Sequence, residues 1–317
     1  MIMERRSIVI SGCSGFVGSE LAIAASSKLN SDIVGLTRRP LDRKIKNLRS
    51  LQLADFFDLS SHQLAAESCE VMIHVAARAH VLKETELEPL AVFLKDNCEM
   101  SLHLASVAAE AGVRRFIYLS SVGVHGISNA RPFVVSDVPA PKEDYAASKL
   151  EAEIGLKEIA KKSGMEVVII RPPLVYGRNA PGNFKKLTKL ASKNLLLPLG
   201  GLNNRKSLVA LENLVDLVIT CVNHPKAANE TFLVSDDRDV STSELLKLIS
   251  QAAGNKPKLL PVPIFFLKIG ATILGKKAEM EKLCSSLQVD ITHTKETLGW
   301  VPPISLEEGI KRCFIND

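Results

Sequence analysis

The chain is predicted to fold as an α/β protein, a doubly wound parallel sheet with a smaller C-terminal lobe, and three observations lead there. Short β-branched runs alternate with longer stretches of helical apolar spacing through the first half of the sequence. A glycine-rich turn follows the first of these runs and opens a helical stretch. Past Arg171 the rhythm breaks into segments punctuated by Pro172-Pro173, Pro181-Gly182 and Leu197-Pro198-Leu199-Gly200-Gly201.

The runs at residues 7–11, 32–36, 51–54, 71–75, 115–120 and 166–170 read as strands. Residues 20–27, 90–111 and 146–162 carry helical spacing between them, and that alternation implies a parallel sheet with helices on both faces. A helix over 212–223 and a strand over 231–235 return to this sheet. The expected division is therefore a nucleotide-binding unit over 1–171 with 207–235, and a substrate-binding lobe over 172–206 with 236–317.

With 317 residues, 46% hydrophobic and 24% charged, the chain can bury a core large enough for an enclosed site. Its net charge of +5 is spread along the chain rather than gathered into a basic face or arm, which argues against a nucleic-acid partner and favours an anionic small substrate. The six cysteines show neither CxxC pairs nor zinc spacing, so reduced thiols, no metal and a cytoplasmic setting are expected. The apolar stretch nearest to a membrane span, 264–274, is short and broken by Lys268, so no span is expected.

Gly12-Cys13-Ser14-Gly15-Phe16-Val17-Gly18 is the turn between the first strand and its helix. Glycines at this spacing let the backbone bend tightly and approach a pyrophosphate, whose charge then meets a helix N-terminus. Strand before and helix after supply the context this motif requires, so Gly12, Ser14, Gly15, Phe16, Val17 and Gly18 are candidate ligands of a dinucleotide in a Rossmann-type unit. After the second strand, where an NAD enzyme places an acid for the ribose hydroxyls, stand Arg38 and Arg39. Two cations there favour the extra phosphate of NADP over NAD. Asp55 and Phe56 are the candidates for the adenine end, with Asp58 competing.

Tyr145-Ala146-Ala147-Ser148-Lys149 sets a phenol and an ammonium one helical turn apart. The ammonium is expected to lower the phenol from its usual pKa of about 10, so that Tyr145 exchanges a proton with a substrate hydroxyl. Ser120-Ser121 ends the fifth strand, where ligands bind in open α/β sheets. Asn97 is a poor helix former inside a helical stretch, which points to a helix distortion or a proton relay, with a plain surface Asn as the alternative.

In order along the chain, GCSGFVG from Gly12, VMIHVAA from Val71, Asn97, SSVGVHG from Ser120, YAASK from Tyr145, RPPLVYG from Arg171 and LGW from Leu298 resemble the extended short-chain dehydrogenase/reductases, specifically the NAD-dependent epimerase/dehydratase family. The resemblance implies Tyr145 as acid/base, Lys149 as its electrostatic partner and ribose ligand, and Ser121 as hydrogen-bond donor to the reacting oxygen. It places Ala76, Ala77 and Pro172 at the cofactor, Arg205 at a nucleotide-sugar diphosphate and Asn183 near the nucleotide base. It also implies a homodimer joined through the helices over 90–111 and 146–162.

Two departures narrow the reaction. Val122-Gly123-Val124 occupies the place of the Asp-Glu pair that 4,6-dehydratases use, so dehydration is not expected, and Leu174 stands where the family usually has Asn. AARAHVLKE from Ala76, with RPPLVYG and NNRKSLV, resembles a subgroup linked to bacterial surface polysaccharide (O-antigen, lipopolysaccharide) assembly. The reading preferred from the arginines is reduction of the C4 keto group of a UDP-2-acetamido-2,6-dideoxy-4-hexulose to UDP-N-acetylquinovosamine. The alternative is a UDP-glucose or UDP-N-acetylglucosamine 4-epimerase that keeps its NAD, and the third is a dinucleotide-sensing protein without turnover.

Overall fold

The computed structural model describes residues 6–38, 47–78, 89–192 and 195–315. Arg39 and the stretch from Ala79 to Glu84, singled out from the sequence, lie outside the described residues.

Seven parallel strands form the main sheet: β1 (Ser7–Ser11), β2 (Asp32–Thr37), β3 (Leu48–Gln52), β4 (Cys69–His74), β5 (Arg115–Leu119), β6 (Glu166–Arg171) and, after a separate pair β7 (Leu174–Tyr176) and β8 (Leu208–Ala210), β9 (Thr231–Leu233). Their order is β3-β2-β1-β4-β5-β6-β9, a doubly wound arrangement with its switch point between β1 and β4. The central strands are buried on both faces, which is why SIVIS, EVMIH and VVIIR read as continuous rather than alternating apolar runs.

The third strand runs over Leu48–Gln52 rather than 51–54. It is the outer strand beside β2, half exposed, and an edge lacks the apolar continuity that fixes a boundary in sequence. The stretch expected as one helix over 90–111 is α3 (Pro89–Phe93), a π-helical turn (Leu94–Glu99) and α4 (Met100–Glu110). Here α1 and α2 denote Phe16–Lys28 and Ser61–Ala66, and α5 is Asp144–Ser163. Later helices are α6 (Gly182–Ser192), α7 (Leu211–Asn223), α8 (Thr242–Ala252), α9 (Ile264–Ile273), α10 (Lys277–Cys284), α11 (Thr292–Leu298) and α12 (Leu306–Arg312).

Helices cover both faces of the sheet. Leu21 and Ala25 of α1 and Leu214, Leu217 and Val218 of α7 bury one face, while Leu104 and Ala108 of α4 and Ala152 and Leu156 of α5 bury the other. A third cluster, with Phe184, Leu245, Ile249 and Ile310, packs beneath β7 and β8. Its elements follow the carboxyl ends of β6 and β9 and so stand over the end of the sheet where the glycine turn lies.

Candidate functional site

A cleft of about 1370 Å³ runs across the carboxyl ends of β1, β4, β5 and β6. That exceeds the roughly 300–1,000 Å³ of a pocket for one small ligand, and its two ends differ in chemistry. One end is the glycine turn. Gly12 adopts φ +78, and a Cβ there would stand 2.7 Å from the Ala76 nitrogen. A Cβ on Gly18 would collide with the Gly12 carbonyl, so α1 can start against β1 only with glycine at that position. Gly12, Ser14, Gly15, Phe16, Val17 and Gly18 all line the cleft, as do Ala76, Ala77 and Pro172.

Further along the same end, Arg38 lies with its guanidinium carbon 5.7 Å from the centre of the Phe56 ring, and both line the cleft. Beside them the Thr37 hydroxyl, at the end of β2, is buried without a hydrogen-bond partner among the described residues. An orphaned hydroxyl next to a glycine cradle and an aromatic floor fits a dinucleotide, with Thr37 within the set that would meet its ribose. Sequence reasoning passed over Thr37, although its place at the end of β2 was the signal. Asp55 does not line the cleft: it caps a short 3-10 turn by accepting from the Phe57 nitrogen at 3.2 Å, while Asp58 accepts from the Asp55 nitrogen at 3.1 Å. Both carboxylates are thus committed to the turn.

Ser121, Tyr145 and Lys149 share one wall of the middle of the cleft. Ser121 follows β5, and its oxygen accepts from the Gly123 nitrogen at 3.1 Å, which leaves its O–H free to donate. Tyr145 opens the first turn of α5 and Lys149 follows one turn later. The Lys149 ammonium donates to the Leu119 carbonyl at 2.7 Å and stands 4.4 Å from the centre of the Tyr118 ring, with two further donors to give. Burial holds the Tyr145 phenol up at about 12 and brings Lys149 down to about 7, with Glu153 opposing the latter. In the chain by itself, desolvation disfavours the charged form of each group and sets both directions, and Lys149 does not contribute to the shift of the phenol.

Two buried networks brace this wall. Glu153, one turn beyond Lys149, takes Arg171 through two hydrogen bonds of 2.5 and 3.0 Å and accepts from Ser120 at 2.5 Å. Arg171 also donates to His125 Nε2 at 2.8 Å, and His125, brought down to about 4 by burial and by Arg171, is neutral. The second network starts at Asn97, which is fully buried in the π turn and outside the cleft lining. Asn97 donates to Ser148 Oγ at 3.0 Å and accepts from the Arg78 nitrogen at 2.8 Å, while Ser148 donates to the Tyr145 carbonyl at 2.8 Å. Asn97 thus ties the backbone after β4 to the first turn of α5.

At the far end, Asn183 and Leu174 line the cleft. The cations there are Lys206 and Lys282, whereas Arg205 is exposed and outside the lining. Lys206 donates to the Lys282 carbonyl at 2.9 Å, and Lys282 pairs with Glu143 at 2.7 Å. Val122 and Val124 are buried in the 3-10 turn after Ser121. Among the described residues there is no cluster of metal-ligating side chains, and no helix is long and apolar enough to cross a membrane.

Comparison with known proteins agrees with this geometry. Over 310 residues the chain is 42% identical to a UDP-glucose 4-epimerase of Vibrio cholerae, covering 97% of this chain and 94% of that one. It is 25% identical to an N-acetyl-alpha-D-glucosaminyl-diphospho-ditrans,octacis-undecaprenol 4-epimerase of Escherichia coli O157:H7, over 97% and 94% of the two chains. The crystal structure of a UDP-glucose 4-epimerase from Thermotoga maritima with UDP-glucose superposes with a TM-score of 0.77 at 22% identity, covering 97% of each chain. A UDP-glucuronic acid 4-epimerase from Bacillus cereus in complex with NAD gives 0.78 at 16% identity, again over 97% of each. These two structures share the fold. The profile of the NAD dependent epimerase/dehydratase family matches residues 8–235, from the first residues of β1 to just past β9. With that match spanning the glycine turn, the serine strand end and the Tyr-Lys helix, the chain belongs to the NAD dependent epimerase/dehydratase family.

Proposed function

We propose that the chain interconverts the C4 epimers of a UDP-activated hexose. The observation that carries this reading is the convergence of Ser121, Tyr145 and Lys149 on one wall of a cleft that starts at the glycine turn and ends at Asn183, Lys206 and Lys282. The identity of the Vibrio cholerae relative, across almost the whole of both chains, supports epimerisation over other outcomes of the same chemistry.

A nicotinamide dinucleotide, when bound, supplies hydride transfer to and from the sugar carbon. Everything else falls to the chain. Tyr145 takes the proton from the C4 hydroxyl as hydride leaves C4, and gives it back to the C4 oxygen when hydride returns to the other face. Ser121 donates its free O–H to the same oxygen. Lys149 places positive charge against the ribose and beside the developing phenolate. Lys206 and Lys282 face the diphosphate and Asn183 meets the base. Leu174 gives the sugar an apolar neighbour where a hydrogen-bonding Asn is usual in the family.

A second reading is favoured by Arg38. A cation over Phe56 at the ribose end, with no carboxylate presented there among the described residues, suits the additional phosphate of NADP, a cofactor consumed by net reduction. In that reading the same wall delivers the proton for reduction of a 4-keto sugar to a 6-deoxy product. Purified enzyme incubated with UDP-glucose, UDP-N-acetylglucosamine and a UDP-4-keto-6-deoxy sugar distinguishes them. Epimerisation gives the galacto partner with no net change in nicotinamide absorbance, and reduction oxidises one NADPH per product.

A further inference from the structure

Helix α9 is seated on the lobe by only two of its residues, Leu267 and Ala271, at 7% and 5% exposure. Its other apolar side chains face outward: Phe265 is 68% exposed, Phe266 62% and Ile273 79%, and Leu274 just beyond is 72% exposed. The patch continues past the helix. Leu197 and Leu260 are joined by a backbone hydrogen bond of 2.8 Å, which brings exposed Leu195 and Leu196 next to exposed Leu260. A contiguous apolar surface of this kind marks an interaction site rather than ordinary surface composition.

The charges around the patch are mainly cationic, with Glu279 and Glu281 of α10 as the acids that follow. From Gly254 to Ala278 the chain carries Lys256, Lys258, Lys268, Lys276 and Lys277 and no acidic residue, and all five lysines are exposed. Lys268 lies within α9, Lys276 and Lys277 at its C-terminal end, and the other two on the approach to it. A protein partner would need an apolar face alone to cover the phenylalanines. Five exposed lysines against the two acids Glu279 and Glu281 leave the rim net positive, which adds the demand for negative charge in the plane of the apolar contact that anionic phospholipid headgroups over an acyl boundary supply. At ten residues, α9 is far too short to span a bilayer and is suited to lying within the headgroup boundary.

We propose that α9 and the adjoining leucines dock the enzyme on an anionic membrane surface. The placement bears on function, because α10 follows directly after Gly275 and carries Lys282 on the cleft, with Ser285 next to it. Docking through α9 therefore holds the substrate end of the cleft close to the bilayer. The proposal does not depend on which C4 reaction the enzyme performs.

The test is co-sedimentation of the full chain with vesicles of phosphatidylcholine alone or of phosphatidylcholine and phosphatidylglycerol in equal parts. The expected result is pelleting with the phosphatidylglycerol vesicles at low salt, little with phosphatidylcholine, and release at high salt. Phe265→Ser with Phe266→Ser abolishes pelleting while the circular dichroism and turnover of soluble substrate stay unchanged. Lys276→Gln with Lys277→Gln weakens vesicle affinity about 25-fold, at about fivefold per lysine. Wild-type protein that stays in the supernatant with phosphatidylglycerol vesicles overturns the proposal. Pelleting that ignores lipid charge also overturns it. So does a phenylalanine double variant that splits a dimer in sedimentation velocity and binds vesicles as the wild type does, since the face would then belong to a second copy of the chain.

Discussion

Replacing Lys149 by Met should change the pH dependence of stability in the cofactor-free protein, by an amount that follows from the burial of the ammonium. Lys149 is 1% exposed, and burial brings it from 10.5 down to about 7. The unfolded chain keeps its proton on this lysine up to about pH 10.5, the folded chain only to about pH 7, so between those values the unfolded state holds more protons and stability rises with pH. Below pH 7 the full cost of the buried charge, ~5 kcal/mol, weighs on the folded state. Met fills similar space without the charge and removes this dependence, although it leaves the Leu119 carbonyl without its donor at every pH. The stability of the Met variant relative to the wild type should therefore fall by ~2 kcal/mol between pH 7 and pH 8.5. Urea unfolding of both proteins at the two values measures this, and taking the difference cancels the buried cysteines and tyrosines that titrate higher. A difference that does not change with pH would show that Lys149 keeps an ordinary pKa in the folded chain.

Three further predictions concern the cleft. Tyr145→Phe should lower turnover by about 10²- to 10⁴-fold with little change in UDP-sugar affinity by calorimetry, because it removes a proton-transfer group and no diphosphate contact. Gly18→Ala should abolish dinucleotide binding while the protein remains folded, read by fluorescence titration and circular dichroism, since its Cβ meets the Gly12 carbonyl at the turn. Lys206→Ala should raise KM more than it lowers kcat, and Arg205→Ala should do so less, because Lys206 lines the cleft and Arg205 is exposed and outside the lining.

Much of the fold could be read from the sequence because the features that determine it are local. Continuous apolar runs marked β1, β4, β5 and β6, and the GCSGFVG turn marked the end of the sheet that carries the cleft. The outer strand β3 was placed a few residues late because an exposed edge has little apolar signal. The π turn at Leu94–Glu99 left only an Asn in a helical stretch as its trace, since a helix that changes its hydrogen-bond register keeps its composition. In the site, Tyr145 and Lys149 were visible through helical spacing, but the pKa order within the wall was not, because desolvation depends on packing from distant segments. Glu153 with Arg171 and His125 was hidden for the same reason: the partners are up to 46 positions apart. In NNRKSLV the sequence pointed to Arg205, but neighbouring residues of an extended segment face opposite ways, and it is Lys206 that lines the cleft. Asp55 offered a carboxylate at a suitable place, and the turn it caps claimed it.

Epimerisation at C4 is tested most directly by proton NMR of the reaction. Enzyme with UDP-glucose or UDP-N-acetylglucosamine and catalytic NAD should yield the galacto product, with the equilibrium reached from either side and no nicotinamide consumed. No galacto product from either substrate, together with stoichiometric oxidation of NADPH on a UDP-4-keto-6-deoxy sugar, would contradict epimerisation and make the enzyme a 4-keto reductase.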